Sequence, residues 1–457
     1  MTLLEAAQAL RDRRVSSTEL TRAALDRIGR EDSSLNSFIK VLPEYALDRA
    51  AHADRELASG ASRGPLHGIP VALKDLIDLC GVRTTGGARI YKDAPAPRSA
   101  AVVEMLEAAG AVIVGKLNLH ELAYGVTSEN PHYGVVHNPR NLAYSAGGSS
   151  GGSGAAVAAG FVFAALGTDT GGSIRIPASF CGVAGFKPTY GVVSRYGVQT
   201  LGFTLDHVGP LARTVRDAAA VLGVIAGHDR RDPASVESPD AAYRSLPLAC
   251  SIRGIRIGVP ESWLAAHVDP EVAQALSAAV ARAESLGAGI HPVTLPNLEA
   301  VNTVGQVLLL AEAAALFENY LDRPDLFGAD VLALLEQGRL LPATDYINAQ
   351  RLRRRFLSDF QTVWSQVDCL ITPATPIPAP RLGQTTIRIG QSDEPVRSLA
   401  TRFSRPMNVL GVPAISIPCG LSPAGLPLGL QIAAAPFQDS LVLRVAAALE
   451  DSGIGAP

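Results

Sequence analysis

An α/β architecture, with a large mixed and mostly parallel central sheet covered on both faces by helices, is predicted by three features of this 457-residue chain. Apolar runs of strand length alternate with longer helical stretches, glycines and prolines punctuate the joins, and 47% of residues are hydrophobic against 18% charged. Such alternation is the pattern of strands fed by crossover helices. The charged share lies below the ~25% of an average soluble domain, which leaves ample apolar surface for a large core.

Taken in order, the first sixty residues read as helical. MTLLEAAQALRDRRV has an amphipathic pattern, Ser16 and Glu19 have capping-box spacing ahead of LTRAALDRI, and a further helix runs from Glu44 to Gly60. GIPVALKD then reads as a strand, RSAAVVEMLEAAG as a helix closed by Gly110, and AVIVG as the next strand. Further on, IRIGVP is a strand, and Asp269-Pro270-Glu271 starts a helix that ends at Gly287, with proline at the first helical position behind an acidic cap. DCLITPA, AISIPC and PLGLQIAAA read as buried strands and DSLVLRVAAALED as a closing helix. Residues 227–240 and Thr372–Pro395 read as loops. The expected organisation is a single domain over 1–457, with a helical segment at about 1–60, a catalytic core at about 64–215 and a substrate-side region at about 250–457.

Composition excludes several classes. With 40 Lys+Arg against 43 Asp+Glu the formal charge is −3, so the basic excess of a nucleic-acid binder is missing, and the hydrophobic content excludes a disordered chain. The apolar stretch Ala155–Leu166 is broken by Gly160 and falls short of the ~18 residues of a membrane span. Glu5 and the Arg–Asp alternation after it occupy the place where a secretory signal needs an apolar region. Five cysteines, Cys80, Cys181, Cys250, Cys369 and Cys419, are scattered without CxxC spacing. A zinc site and a disulfide framework are therefore not expected, and a reducing, cytoplasmic location is.

The chemistry concentrates in Ser145–Pro188, SAGGSSGGSGAAVAAGFVFAALGTDTGGSIRIPASFCGVAGFKP. A Gly/Ser run alone reads as a flexible linker. This one leads directly into an Ala-rich helix, the strand FVFAALG and a second glycine turn at Gly171-Gly172, so ordered backbone at close quarters is the better reading. No lysine follows the glycines, which excludes a phosphate-binding P-loop, and Val157 stands where a dinucleotide fingerprint needs its third glycine. Gly147-Gly-Ser149-Ser-Gly151 matches the GxSxG of a nucleophile elbow, yet NPRNLAYSA before it does not read as the strand that motif requires. His120-Glu121 begins an HExxH motif that ends at Tyr124 instead of histidine. What remains is a serine activated without histidine. Serine needs an adjacent base, and a lysine serves if burial disfavours its charged form. Lys74 ends the apolar strand VALK; a lysine there is ordinarily a snorkelling surface residue.

GIPVALKD, GGSSGGSGAA, GTDTGGSIRIPA, FCGVAGFKPTYG and LDHVGPLART together resemble the amidase-signature hydrolases, in order and in spacing: 75 residues separate Lys74 from Ser149, and 24 separate Ser149 from Ser173. The likeness extends from the STEL helix to PLGLQIAAAPFQDSLVLRVA. It implies the amidase-signature fold and an amidase cleaving C–N bonds other than peptide bonds through an acyl-enzyme, with no cofactor or metal. In that resemblance Ser173 is the nucleophile, Ser149 the middle serine on a cis peptide bond, and Lys74 the terminal base. Backbone N–H groups of Thr170, Gly171, Gly172 and Ser173 form the oxyanion hole, and Ser150, Asp169 and Arg175 support it. Tyr124 lines the pocket in that resemblance, or else is a core aromatic.

PTYGVVSRYG and AGHDRRDPAS are also similar to the glutaminase component (the A chain type) of glutamyl-tRNA(Gln) amidotransferases. That component holds the amino-acid end of its substrate with an arginine on a late helix and an aspartate. Arg353 matches the arginine, while Thr401 stands at the aspartate position. A stand-alone amidase acting on a small-molecule amide is therefore expected, without membrane or nucleic-acid partners and with a homodimer left open. The amidotransferase component is the first alternative, and a hydrolase of a carboxylated urea derivative (allophanate or carboxybiuret type) the second. Arg353 would then capture the carboxylate, or else belong to a solvated arginine cluster.

Overall fold

The apolar runs come together in one 11-stranded sheet in a computed structural model that describes residues 1–91, 93–240, 242–244, 251–261, 264 and 267–455. In chain order its strands are β1 (Phe38–Val41), β2 (Pro70–Lys74), β3 (Val112–Leu117), β4 (Ala164–Asp169), β5 (Ala184–Lys187), β6 (His207–Ala212), β7 (Arg256–Val259), β8 (Gly289–Pro292), β9 (Cys369–Pro373), β10 (Ala414–Leu421) and β11 (Pro427–Ala434). Across the sheet they lie in the order β1-β3-β2-β4-β6-β5-β10-β11-β9-β7-β8. The helices are α1 (Leu3–Arg11), α2 (Ser17–Leu35), α3 (Pro43–Ala58), α4 (Ala101–Ala108), α5 (Gly151–Ala158), α6 (Arg175–Cys181), α7 (Val215–Ile225), α8 (Pro270–Ser285), α9 (Leu298–Phe317), α10 (Ala329–Arg339), α11 (Ala343–Gln366), α12 (Val396–Thr401), α13 (Arg405–Val409) and α14 (Asp439–Asp451).

The period-2 geometry of strands distributes side chains to two covered faces. On one face Val71, Leu73, Ala164, Leu166, Ile371, Ile415, Ile417, Leu430 and Ile432 pack with residues of α1, α4, α7, α8 and α14. On the other, Ala72 and Ala165 meet α2, α3 and α5, while Leu370, Ala414 and Ala433 meet α9, α10 and α11. A strand buried on both faces reads as a continuous apolar run, which is why these strands stand out in the sequence. The helix starts follow their caps. Thr2/Glu5 and Ser16/Glu19 both form capping boxes, and the Asp269 side chain accepts from Glu271 N–H ahead of Pro270.

The sheet is mixed, as expected, but not mostly parallel: six neighbour pairings are antiparallel and four parallel. Alternating apolar runs report that strands exist and leave their direction open. Here β10 and β11 form a hairpin, and β6 lies antiparallel to both β4 and β5. Three short features also differ from the expectation. FIKV within the first sixty residues is the edge strand β1. Asn141–Ser145, in the segment that does not read as a strand, pairs with His137–Asn138 in a separate ribbon outside the central sheet, so the elbow context is still not met. Within Thr372–Pro395, Thr386–Ile389 and Ser392–Pro395 form a mostly exposed hairpin; Thr386–Ile389 alternates over only four residues and Ser392–Pro395 does not alternate at all.

Among the described residues one helical stretch, Leu298–Tyr320, is long and apolar enough to cross a membrane. It therefore outranks Ala155–Leu166 in apolar length. Its Val301, Leu308 and Ala313 are wholly buried in the core. Cys80 is exposed and Cys181, Cys369 and Cys419 are buried, all as free thiols; Cys250 lies outside the described residues.

Candidate active site

The Gly/Ser stretch is packed backbone. Between the 141–145 strand and α5 the chain passes through a cis peptide bond at Gly148–Ser149. A Cβ on Gly152 would lie 2.4 Å from the Asn118 carbonyl oxygen and 2.5 Å from that of Ser37, so only glycine fits at the start of α5. Ser150 Oγ donates to the Thr168 carbonyl at 3.1 Å and accepts from Thr168 N–H at 3.3 Å, which pins this turn against β4.

Lys74 ends β2 in the interior of the sheet, with no solvent exposure. Its Nζ lies 2.7 Å from Ser149 Oγ and 2.8 Å from Thr168 Oγ1 on neighbouring β4. Burial pushes the amine down to about 7, with the carboxylates of Asp169 and Asp206 opposing that shift. The snorkelling reading of this lysine is excluded. An amine with that property, hydrogen-bonded to a hydroxyl, can accept a proton near neutral pH. Thr168, the second partner, carries no signal of this role in the sequence.

Ser173 sits just before α6 and is 8% exposed. Its carbonyl accepts from Ser150 N–H at 3.2 Å, so the two serine turns are joined through the backbone. Its hydroxyl makes no hydrogen bond among the described residues. The chain reaches Ser173 through Gly172 at φ +126°, where a Cβ would meet Ser404 Oγ at 2.1 Å and Ile176 Cδ1 at 2.8 Å. Ser404 Oγ in turn donates to the Gly171 carbonyl at 2.8 Å.

Asp169 and Arg175 hold this loop from beneath. Arg175 donates from Nε and Nη2 to both carboxylate oxygens at 2.9 and 2.8 Å, and both side chains are fully buried. Asp169 also accepts from Gly172 N–H at 2.7 Å and Ile174 N–H at 3.1 Å. Burial alone would raise its pKa; Arg175, Lys187 and the Asn408 amide outweigh that and hold the carboxyl well below the usual carboxylate range. The remaining Arg175 donors reach Ser404 O (2.9 Å), Gln431 Oε1 (2.7 Å) and Asn408 Oδ1 (2.7 Å). One member of the expected oxyanion hole is corrected here. Gly172 N–H is committed to the Asp169 carboxylate, which leaves Thr170, Gly171 and Ser173 as the candidate donors. Thr170 Oγ1 is itself fixed by Asp206 at 2.6 Å.

Two expected substrate residues have other contacts. Arg353 donates from Nε to the Val409 carbonyl at 2.7 Å and from Nη2 to the Thr204 carbonyl at 3.1 Å. It is neither in a solvated cluster nor in contact with Lys74, Ser149 or Ser173. Tyr124 is 2% exposed in the α9–α11 core, burial pushes its phenol up to about 12, and its ring lies beneath the Arg397 guanidinium at 5.0 Å. The larger clefts lie elsewhere: one of about 580 Å³ between α9 and α11, lined by Phe203, Glu312 and Tyr346, contains none of Lys74, Ser149 and Ser173. Thr168 and Thr170 instead line a small enclosed space with Asp206 and His207. Ser404, Asn408 and Gln431 have no local signal in the sequence.

The family model described as Amidase matches residues 19–443, and the chain belongs to that family. Among its relatives, the glutamyl-tRNA(Gln) amidotransferase A-type component of Geobacter sp. (strain M21) is 40% identical, covering 98% of this chain and 96% of the relative. That of Anaeromyxobacter sp. (strain K) is 43% identical over 98% and 95%. Among solved structures, a chain from a vestigial protein complex bearing on the origins of an s-triazine catabolic enzyme superposes with TM-score 0.94 at 37% identity, over 100% of this chain and 99% of its own. The native peptide amidase of Stenotrophomonas maltophilia does so with TM-score 0.86 at 31% identity, over 100% and 98%.

Proposed function

We propose that this protein is a serine amidohydrolase in which Lys74, Ser149 and Ser173 form a proton relay. The observation that carries the reading is the wholly buried Lys74 amine, close to neutral in its titration, 2.7 Å from Ser149 Oγ. The uncharged amine accepts the Ser149 proton while Ser149 accepts that of Ser173, whose oxygen attacks the amide carbon. The Ser173 hydroxyl must turn toward Ser149 for this step, and no other hydrogen bond among the described residues restrains it. The oxyanion is held by backbone N–H groups of Thr170, Gly171 and Ser173; one such donor typically lowers the barrier by ~2.7–4 kcal/mol. The proton then returns through Ser149 to the leaving ammonia or amine, and water hydrolyses the acyl-enzyme. The substrate is a small-molecule amide and the setting cytoplasmic.

The second reading, the glutaminase component of an amidotransferase, is favoured by 40–43% identity over nearly the whole chain. Against it, Thr401 offers no charge to a glutamine ammonium: its hydroxyl donates to the Arg397 carbonyl at 3.0 Å. A carboxylated urea derivative is the third reading. Ammonia release from a panel of amides including glutamine, with Ser173→Ala as control, tests all three. Turnover of small amides by the chain alone, abolished in Ser173→Ala, is expected. Glutamine hydrolysis seen only with added partner proteins supports the second reading, and an intact acylation burst in Ser173→Ala defeats the nucleophile assignment.

A further inference from the structure

Two arginines stand beside the nucleophile loop without an acidic partner. Arg405 opens α13, and its side chain runs between Gly171 and Gly305 of α9: a Cβ on Gly171 would lie 3.5 Å from Arg405 Nε, and one on Gly305 2.9 Å from its Cδ. Gly171 is two residues from Ser173. Arg405 Nε is buried and hydrogen-bonded to nothing, and among the described residues this side chain makes no hydrogen bond or ion pair. Arg397 lies close behind, stacked on Tyr124 and donating to the Tyr124 carbonyl at 3.1 Å, also without an ion pair among the described residues.

Buried cations are normally paired, because removing charge from water is costly unless an opposite charge replaces the solvent. Among the described residues Asp330 acts on Arg397 from a distance without forming an ion pair, and no carboxylate acts on Arg405. Tyr124 is neutral, since burial pushes its phenol to about 12, and Asp330 is already bonded to His120 at 2.8 Å. Burial and the neighbouring Arg397 lower Arg405 to about 10, so it remains cationic at neutral pH. Two glycines clear the space along its stem, and a guanidinium presents parallel donors matched to a carboxylate.

We propose that Arg405, with Arg397 behind it, receives a carboxylate carried on the acyl side of the substrate, so that this enzyme selects amides bearing an anionic group a few bonds from the scissile carbonyl. Arg353, bound to two main-chain carbonyls, is then a structural residue. The proposal rests on the amidohydrolase reading above and names its substrate class.

The test compares kcat/KM for succinamate and the neutral amide butyramide, which lacks the carboxylate oxygens, in the full-length protein, with calorimetry of succinate binding alongside. Wild type should prefer succinamate on the order of 100-fold, the scale of charged hydrogen bonds. In Arg405→Gln that ratio should fall toward one, with Arg405→Lys in between. Equal kcat/KM for the two amides in wild type, or an unchanged ratio in Arg405→Gln, overturns the proposal, and the wild-type comparison stands even if the variant does not fold. If neither amide is turned over, succinate binding decides: loss in Arg405→Gln supports the proposal, and binding no tighter than butyramide overturns it. Arg405-dependent succinate binding in a protein whose Ser173 resists a fluorophosphonate would refute the hydrolase reading and leave the carboxylate site standing.

Discussion

Lowering the pH from 8 to 5 should slow acylation of Ser173 in proportion to the uncharged fraction of Lys74. With burial holding the amine at about 7 in place of 10.5, about half of it is neutral at pH 7, against roughly 3 in 10,000 for an ordinary lysine. Between pH 8 and 5 the neutral fraction falls about 90-fold on the same arithmetic. The second-order rate of Ser173 labelling by an uncharged fluorophosphonate, followed by intact mass, measures this without knowledge of the natural substrate. The rate should rise tenfold per pH unit up to about 7 and then level. Lys74→Met should lose the inflection and ~10²–10⁴-fold in rate, the usual contribution of a general base. A wild-type profile that is flat, or that climbs to pH 10, would refute the reasoning. So would wild-type labelling of Lys74→Met. The same shift has a stability consequence. Because the folded pKa lies below the unfolded one, this lysine's contribution is fully present above pH 10.5 and is lost as pH falls to about 7, on the order of 5 kcal/mol. At pH 6 Lys74→Met should therefore melt higher than wild type.

Gly172→Ala should disable the site, since its Cβ would fall 2.1 Å from Ser404 Oγ at a backbone angle that L-residues avoid; a variant retaining more than a tenth of wild-type fluorophosphonate labelling contradicts that. Arg175→Gln strands the buried Asp169 carboxylate and should cost ~3–5 kcal/mol by urea unfolding, with partial recovery in the Asp169→Asn double variant. Burial holds Glu450 up at about 7, against hydrogen bonds from Val215 N–H, so its contribution is present below about pH 4.5 and lost as pH rises through 7. Glu450→Gln should flatten the pH dependence of the urea midpoint over that window, and an unaltered slope would count against the assignment.

How much of this was legible follows from where the information lies. The strands β2, β3, β7, β9, β10 and β11 and the helix behind Asp269-Pro270 announce themselves because burial on both faces, or a cap, leaves a local pattern. Strand direction leaves none, so the mixed sheet that was expected to be mostly parallel has more antiparallel than parallel pairings. The candidates Lys74, Ser149 and Ser173 were visible only as parts of a long composite motif, since a lone lysine or serine has no distinctive surroundings in sequence. Thr168, Ser404, Asn408, Gln431 and Arg405 acquire their roles from contacts with distant residues: Thr168 with Lys74 across 94 positions, Gln431 with Arg175 across 256. Arg353 illustrates the converse, a matching position whose side chain is taken up by main-chain carbonyls.

The clasp on Arg175 has a consequence for how the protein is made. Ser404, Asn408 and Gln431 leave the ribosome more than two hundred residues after the loop they fix. Until they arrive, that cation and the carboxylate beside it must stay hydrated or be shielded, because half of their partners do not yet exist. Catalytic competence should thus emerge abruptly, when synthesis is nearly complete, and fragments ending before the final hairpin should carry every reactive group yet remain inert.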